Sequence, residues 1–581
     1  MPQPNAIAAF VLTFATAPFA PTSLAAAAPP ATTAPSHRLS GTLALARAAA
    51  RDGDHAVAAI RFHQVVIGPA HSDVPAAQLG LVAALFRLEL YSVARSMALT
   101  LATAGHPKRA DVLPWLVALA EVLDPDPDLL DALSTYSDVE LAAPQFDAVR
   151  GDLYAMIGRA RYHRGELEGA IVAFSRVPKD AEDYVAAQYL AGVAHTRLGT
   201  GAEAVAAFKN VLRFNAHAVG RRSPRESARM ERYSARRSQL LSHRPIQVRS
   251  GRPGRQRSPK RKTAALRRLS RRMGRRRVTT TVLDRYEEHR RADEMSRLSM
   301  AYVFFQAGQF DLASKYFTAV PQTSPYWLDA VFGDAWSEFL AAYTDADRAN
   351  EHYQRVLGHV HTMHAPFFRY DLYPELPLLE AVTYYYNCRY RSAARALDGF
   401  DAQYLVIRDT LSEFLSQQRE DFELADLFTA LRTGAAHDVA PETLRIIEGL
   451  LDDRALRRQH DRIARIDAEV DAADALQQPG GEALLESVHE TIALAASRAR
   501  EDSGAAVRSR LAHAVANISR FEQQSLRIRY ELEPKLATQA GAPGDAKRPH
   551  PDVEHDLYGW NGEYWQDELG EYRVKITSRC E

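Results

Sequence analysis

The sequence predicts an all-α protein: a solenoid of stacked helix pairs, then a long antiparallel coiled-coil-like helical hairpin, then a short aromatic C-terminal cap. Three observations predict it. Stretches of the chain repeat at an offset of 34 residues, with glycine, alanine and phenylalanine in register. The C-terminal third carries apolar residues at 3–4 spacing on both sides of Pro479-Gly480-Gly481. Residues 557–581 concentrate tryptophan and tyrosine.

With 581 residues, the chain is long enough for several modules. Residues 1–27 have the shape of a secretory signal peptide, an apolar run followed by small residues with an A-x-A site at Ala25 and Ala27. No Lys or Arg precedes the apolar run, a departure from that pattern. No cysteine follows it, so no lipid anchor is written there. The expectation is an exported protein, periplasmic or outer-membrane-associated, with no transmembrane helix in the mature chain. Residues 28–40 read as a linker.

Residues 41–215 carry the first block of repeats. "IGRARYHRGELEGAIVAFSRV" and "AGVAHTRLGTGAEAVAAFKNV" align at the 34-residue offset through Gly158 and Gly192, Gly165 and Gly199, Ala170 and Ala204, and Phe174 and Phe208. The small residues at 158 and 192 let two helices approach closely. Gly165 and Gly199 free the turn between them. Ala170 and Phe174 lie one turn apart on the second helix and share a face. This period and grammar resemble the tetratricopeptide repeat, in which no unit buries its apolar face alone and neighbours must stack. The same grammar opens the second block, residues 286–405, with Gly308, Ala313 and Phe317. It returns at "YYYNCRYRSAARAL", where Cys388 occupies the place of the turn glycine.

Between the blocks, residues 216–285 break the grammar. Arg221–Arg277 holds 22 basic and two acidic residues, which leaves 50 basic and 70 acidic residues elsewhere. An acidic chain is thus neutralised by one basic stretch. Three readings stand beside one another: an arm for nucleic acid or an anionic envelope polymer, a disordered insert, and an out-of-frame translation of GC-rich DNA. Only Tyr233 is aromatic between 221 and 277, so base stacking has little to work with.

Residues 406–535 are read as the hairpin. Its seam is Ile463, Ile466, Val470 and Ala473, then Leu485, Val488, Ile492, Ala495 and Ala499, then Val507, Leu511, Ala514, Ile518 and Phe521. Residues 536–556 are a linker. In the cap, residues 557–581, Trp560, Tyr564, Trp565 and Tyr572 are expected to pack against the hairpin or the last repeat, and "YRVKITS" alternates like a short strand. The two cysteines, Cys388 and Cys580, form a disulfide candidate in an exported chain, with two unpaired thiols as the alternative.

"LGHVHTMHAPFFRYDLYPELPLLEAVTYYYNCRY" and "GWNGEYWQDELGEYRVKITSRC" resemble segments of exported tetratricopeptide-repeat envelope proteins of gliding and predatory Gram-negative bacteria, over roughly residues 290–581. The resemblance implies an envelope scaffold. No H-E-x-x-H, G-x-S-x-G, phosphate-binding loop or dinucleotide fingerprint occurs, so neither a catalytic site nor a cofactor is expected. His359, His361 and His364 lack an acidic partner at helical spacing and read as a polar helix end rather than a metal site. The expected working surface is the concave face of the array, with Arg159, Tyr162, Thr196, Tyr302, Phe305 and Tyr385 as candidates for contact with a protein partner in the envelope.

Overall fold

The computed structural model describes residues 37–538, apart from 70–71, 104, 124–125, 148, 221–223, 242–279, 369–370, 418–419, 434–440 and 452–453, and residues 562–580 apart from 563 and 577. The signal-peptide region, most of the basic segment and Trp560 lie outside the described residues. The described secondary structure is helical, without a strand, and no described helix is long and apolar enough to cross a membrane.

Eight helix pairs follow one another among the described residues: α1 (His37–Arg51) with α2 (His55–Val66), α3 (Val74–Arg87) with α4 (Tyr91–Leu101), and α5 (Arg109–Val122) with α6 (Pro127–Ser134). A short α7 (Asp138–Leu141) precedes α8 (Arg150–His163) with α9 (Leu167–Ser175), and α10 (Tyr184–Arg197) with α11 (Gly201–Gly220). After α12 (Pro224–Leu241) come α13 (Thr280–Gln306) with α14 (Phe310–Thr318), α15 (Trp327–Thr344) with α16 (Ala349–Met363), and α17 (Leu376–Tyr386) with α18 (Tyr390–Phe400).

The turns within six of these pairs close alike. The amide just past the turn residue bonds the carbonyl five residues back: Asp54 to Ala49, Leu90 to Leu85, Glu166 to Arg161, Thr200 to His195, Gln309 to Phe304 and Arg389 to Tyr384, at 2.9–3.0 Å. This closure needs a left-handed residue. Gly53, Gly165, Gly199 and Gly308 supply it at φ of 70–82°, and Glu89 (63°) and Cys388 (54°) do so with a side chain. Packing then follows the phenylalanines. A Cβ at Gly158 would overlap the ring of Phe174, and one at Gly192 the ring of Phe208. Phe62 and Phe317 instead abut Gly80 and Gly333, on the first helix of the next pair. Ala170, Ala204 and Ala313 are fully buried beside these rings.

The C-terminal third holds more helices than the two of the expected hairpin. It contains α19 (Val406–Ser416), α20 (Asp421–Thr433), α21 (Pro441–Leu451), α22 (Arg454–Ala473) and the 57-residue α23 (Glu482–Thr538). At 1.5 Å per residue, α23 spans about 85 Å. Its apolar stripe meets three different partners. Leu484, Val488, Ile492 and Ala499 join the core of the first repeats, and Val507, Leu511 and Ala514 pack on α19–α21. Ile518, Phe521 and Leu532 pack on α17 and α18. The seam is therefore consumed within the chain, although Val470 is half exposed. Gly504 lets α23 touch the start of α20, since a Cβ there would collide with the Asp421 carbonyl.

On α22, polar groups match the helix ends they meet. Glu469 accepts from the Ser92 amide (2.9 Å) and hydroxyl (3.0 Å) at the start of α4, and Arg465 donates to the Val122 carbonyl at the end of α5. A carboxylate at a helix N-terminus and a cation at a C-terminus both oppose the helix dipole.

The boundaries expected for the basic segment also move. Residues 224–241 and 280–285 are helical, not an interruption. Met230 is buried with Leu283 and Tyr286, and Asn215 donates to the His289 carbonyl at 2.8 Å. The mechanism is ordinary amphipathic burial, with arginines on the outer face; Arg237 pairs with Asp284.

Candidate functional site

The first helices of successive pairs form one continuous lining, and carboxylates converge on it. Glu121 comes from α5, Asp152 from α8, Glu182 and Asp183 from the turn before α10, and Glu288 from α13. Arg159 stands among them and pairs with Asp183 at 3.1 Å. Crowding is visible in their proton affinities. Partial desolvation in the lining, then Asp183 and its neighbours, pushes the Glu121, Asp152 and Glu288 carboxyls above the usual range, and Arg159 offsets part of this for Glu121 and Glu288. Glu121, Glu182 and Glu288 remain exposed. The arrangement concentrates negative charge on a solvent-facing surface where a cation would relieve mutual repulsion.

Of the six residues expected on this surface, three share it. Arg159 and Tyr162 lie on α8 and Thr196 on α10, with the Arg197 guanidinium 5.2 Å from the centre of the Tyr162 ring. The Thr196 hydroxyl is spent on the Gly192 carbonyl of its own helix, at 2.9 Å. The other three are drawn into packing. Tyr302 meets Phe317 edge-on at 5.1 Å, and Phe305 meets Phe310 at 5.8 Å. Burial pushes the Tyr302 hydroxyl well above the usual tyrosine range. Tyr385 contacts Tyr390 at 5.5 Å in the core beneath α23. These three rings pack between helices, because burying a ring there stabilises more than exposing it.

The three histidines diverge. His359 is buried and lies 3.1 Å from Asp334, while His361 stacks on Tyr564 at 4.7 Å with Tyr572 edge-on at 4.9 Å. His364 stands at the end of α16. No group of three His, Cys, Asp or Glu among the described residues could hold a metal ion.

The cap lies on α15 and α16 rather than on the hairpin. Leu569 and Ile576 are buried, and a Cβ at Gly358 would collide with the Tyr572 carbonyl. Val574 donates its amide to the Gln354 carbonyl, and the Gln354 side chain donates to the Ile576 carbonyl, both at 3.1 Å. The alternation of "RVKI" is real in burial, but its partner is a helix, so no strand forms. Trp565 stays half exposed. The structure joins Cys388 and Cys580 in a disulfide, Cα–Cα 5.2 Å, which ties the chain's end to the turn between α17 and α18.

Compared with known proteins, the chain matches no family model, and no curated protein sequence is significantly similar to it. The carboxylate cluster was invisible as a cluster in the sequence; the acidic surplus outside residues 221–277 was its only signal.

Proposed function

We propose that the protein is a non-catalytic tetratricopeptide-type scaffold of the bacterial cell envelope, and that the lining formed by its first helices takes a basic segment of a partner protein. The observation that carries this reading is the convergence of Glu121, Asp152, Glu182, Asp183 and Glu288 from consecutive pairs, of which only Asp183 (with Arg159) and Glu182 (with Arg285) have an ion-pair partner among the described contacts. A basic segment laid across them neutralises charge that the fold has brought together at a cost. Opposite charge at such a face sets partner choice and association rate more than raw affinity. The resemblance to exported repeat proteins supports the envelope as the setting and a motility or envelope-assembly complex as the larger machine.

The test places a photo-crosslinking residue at Tyr162, on the lining, and separately at Val172, which is exposed on α9. A protein captured from position 162 and not from 172 is expected, and its contact segment should be rich in Lys and Arg. Capture should fade with salt and be abolished by E121K/D152K/E288K. Equal capture from both positions, or capture indifferent to the charge reversal, refutes the reading.

A further inference from the structure

A second feature lies apart from the lining, in the C-terminal half. The end of α16, Phe368, Asp371 and Tyr373 beyond it, α17, α18 and the π-helical turn Asp401–Leu405 line a half-open cavity of about 520 Å³. That volume falls in the range of small-ligand sites, roughly 300–1,000 Å³. A π-turn is a rare element that recurs at functional sites. Here it brings Gln403 and Tyr404 to the cavity wall.

The wall carries two opposite charges that form no direct ion pair with each other among the described contacts. Glu380, half-buried, reaches it from α17, and Arg395, whose side chain is exposed, reaches it from α18. Among the described contacts, Glu380 has neither a hydrogen bond nor an ion pair, and Arg395 donates only to the Ser392 hydroxyl, at 3.1 Å. Aromatic side chains share the wall with them. The Tyr404 hydroxyl is spent on the Tyr373 carbonyl (3.0 Å) and the Tyr373 hydroxyl on Asp329 (2.7 Å), so these tyrosines offer rings rather than donors. Burying a carboxylate without a partner costs free energy. A fold that brings a guanidinium to the same cavity and does not close the pair leaves both groups available to a guest.

We propose that this cavity binds a small dipolar molecule of amino-acid or dipeptide size, with its ammonium on Glu380, its carboxylate on Arg395 and its apolar part against the tyrosine rings. Arg395 suits the carboxylate because its planar fork can donate twice. Burial pushes the Glu380 carboxyl up to about 7, with Arg395 opposing. An ammonium guest needs the ionised form, so binding should strengthen as pH rises from about 6 to about 8. The other groups facing the cavity are His364 (its imidazole pushed below its usual range by burial and then by His361), Asp371, Tyr373, Tyr384 and Tyr404; burial raises the three tyrosines, which keep their protons over that range.

The experiment is calorimetric titration of the full chain with free leucine, free phenylalanine and the dipeptide Leu-Phe. Each is paired with its N-acetyl and its C-terminal amide form. At least one dipolar compound is expected to bind, and removing either of its charges should weaken binding at least tenfold. E380Q and R395Q should each do the same while leaving the far-UV circular dichroism spectrum unchanged, and E380Q should flatten the pH dependence. Preference for Leu-Phe over the free amino acids would assign the site to peptide ends, and the reverse order to free amino acids. No binding at up to about 10 mM, where even weak association registers, overturns the proposal. Equal binding of a singly charged form, or full binding by E380Q with an unchanged pH profile, overturns it as well.

Discussion

Cutting the Cys388–Cys580 bond should reveal two separable energies. The bond closes a loop with a sequence separation of 192 residues. Chain entropy for a loop of that size gives about 5 kcal/mol, the upper end of what disulfides deliver. Part of the tail remains anchored without the bond, because Leu569 and Ile576 stay buried and Gly570 donates to the Thr362 hydroxyl at 3.0 Å. The second energy is local. Cys388 stands at φ 54° in a turn that four other pairs build with glycine. A side chain there costs roughly 1–2 kcal/mol. The double variants C388S/C580S and C388G/C580S both lack the bond, but only the second relieves the turn. Urea unfolding followed by far-UV circular dichroism should rank the parent first, C388G/C580S next, and C388S/C580S lowest by about 1 kcal/mol. Coincident curves for the two double variants would refute the turn argument. A parent no more stable than C388S/C580S would refute the loop argument.

Other outcomes follow from single contacts. Burial pushes the Glu375, Glu380 and Glu469 carboxyls up to about 7. The folded chain therefore holds protons that the unfolded chain, with carboxyls near about 4.3, has released. Their contribution to stability is full below about 4.3 and is lost as pH rises through about 7, so the urea midpoint should fall across that window and E375Q/E380Q/E469Q should flatten the fall. Gly192→Val drives a branched side chain into Phe208 and should cost about 1–3 kcal/mol in thermal unfolding, with partial recovery in G192V/F208L. His359→Ala strands the buried Asp334 carboxylate and should destabilise by about 1–3 kcal/mol in urea unfolding, whereas replacing both by apolar residues should cost less.

What is local could be read along the chain. Helix-pair length, the left-handed turns at Gly165, Gly199 and Gly308, and the fit of Phe174 and Phe208 against Gly158 and Gly192 all arise within about 34 residues of chain, where spacing maps directly onto a helix face. The turn role of Cys388 was legible in the same way, because its neighbours kept the register. Where surplus surface goes depends instead on how distant helices stack. The 3–4 spacing of α23 specifies an apolar stripe but not its partner, and a stripe that resembles a coiled-coil seam serves equally well against three sets of short helices. The alternation in "RVKI" specifies two faces but not that a helix will cover one of them. Tyr302, Phe305 and Tyr385 carry no mark that separates a ring packed between helices from one offered to a partner. The convergence of Glu121, Asp152, Asp183 and Glu288, and the unclosed pair of Glu380 and Arg395, depend on how successive helices stack. Charge interactions act through space, and the sequence lists only distances along the chain.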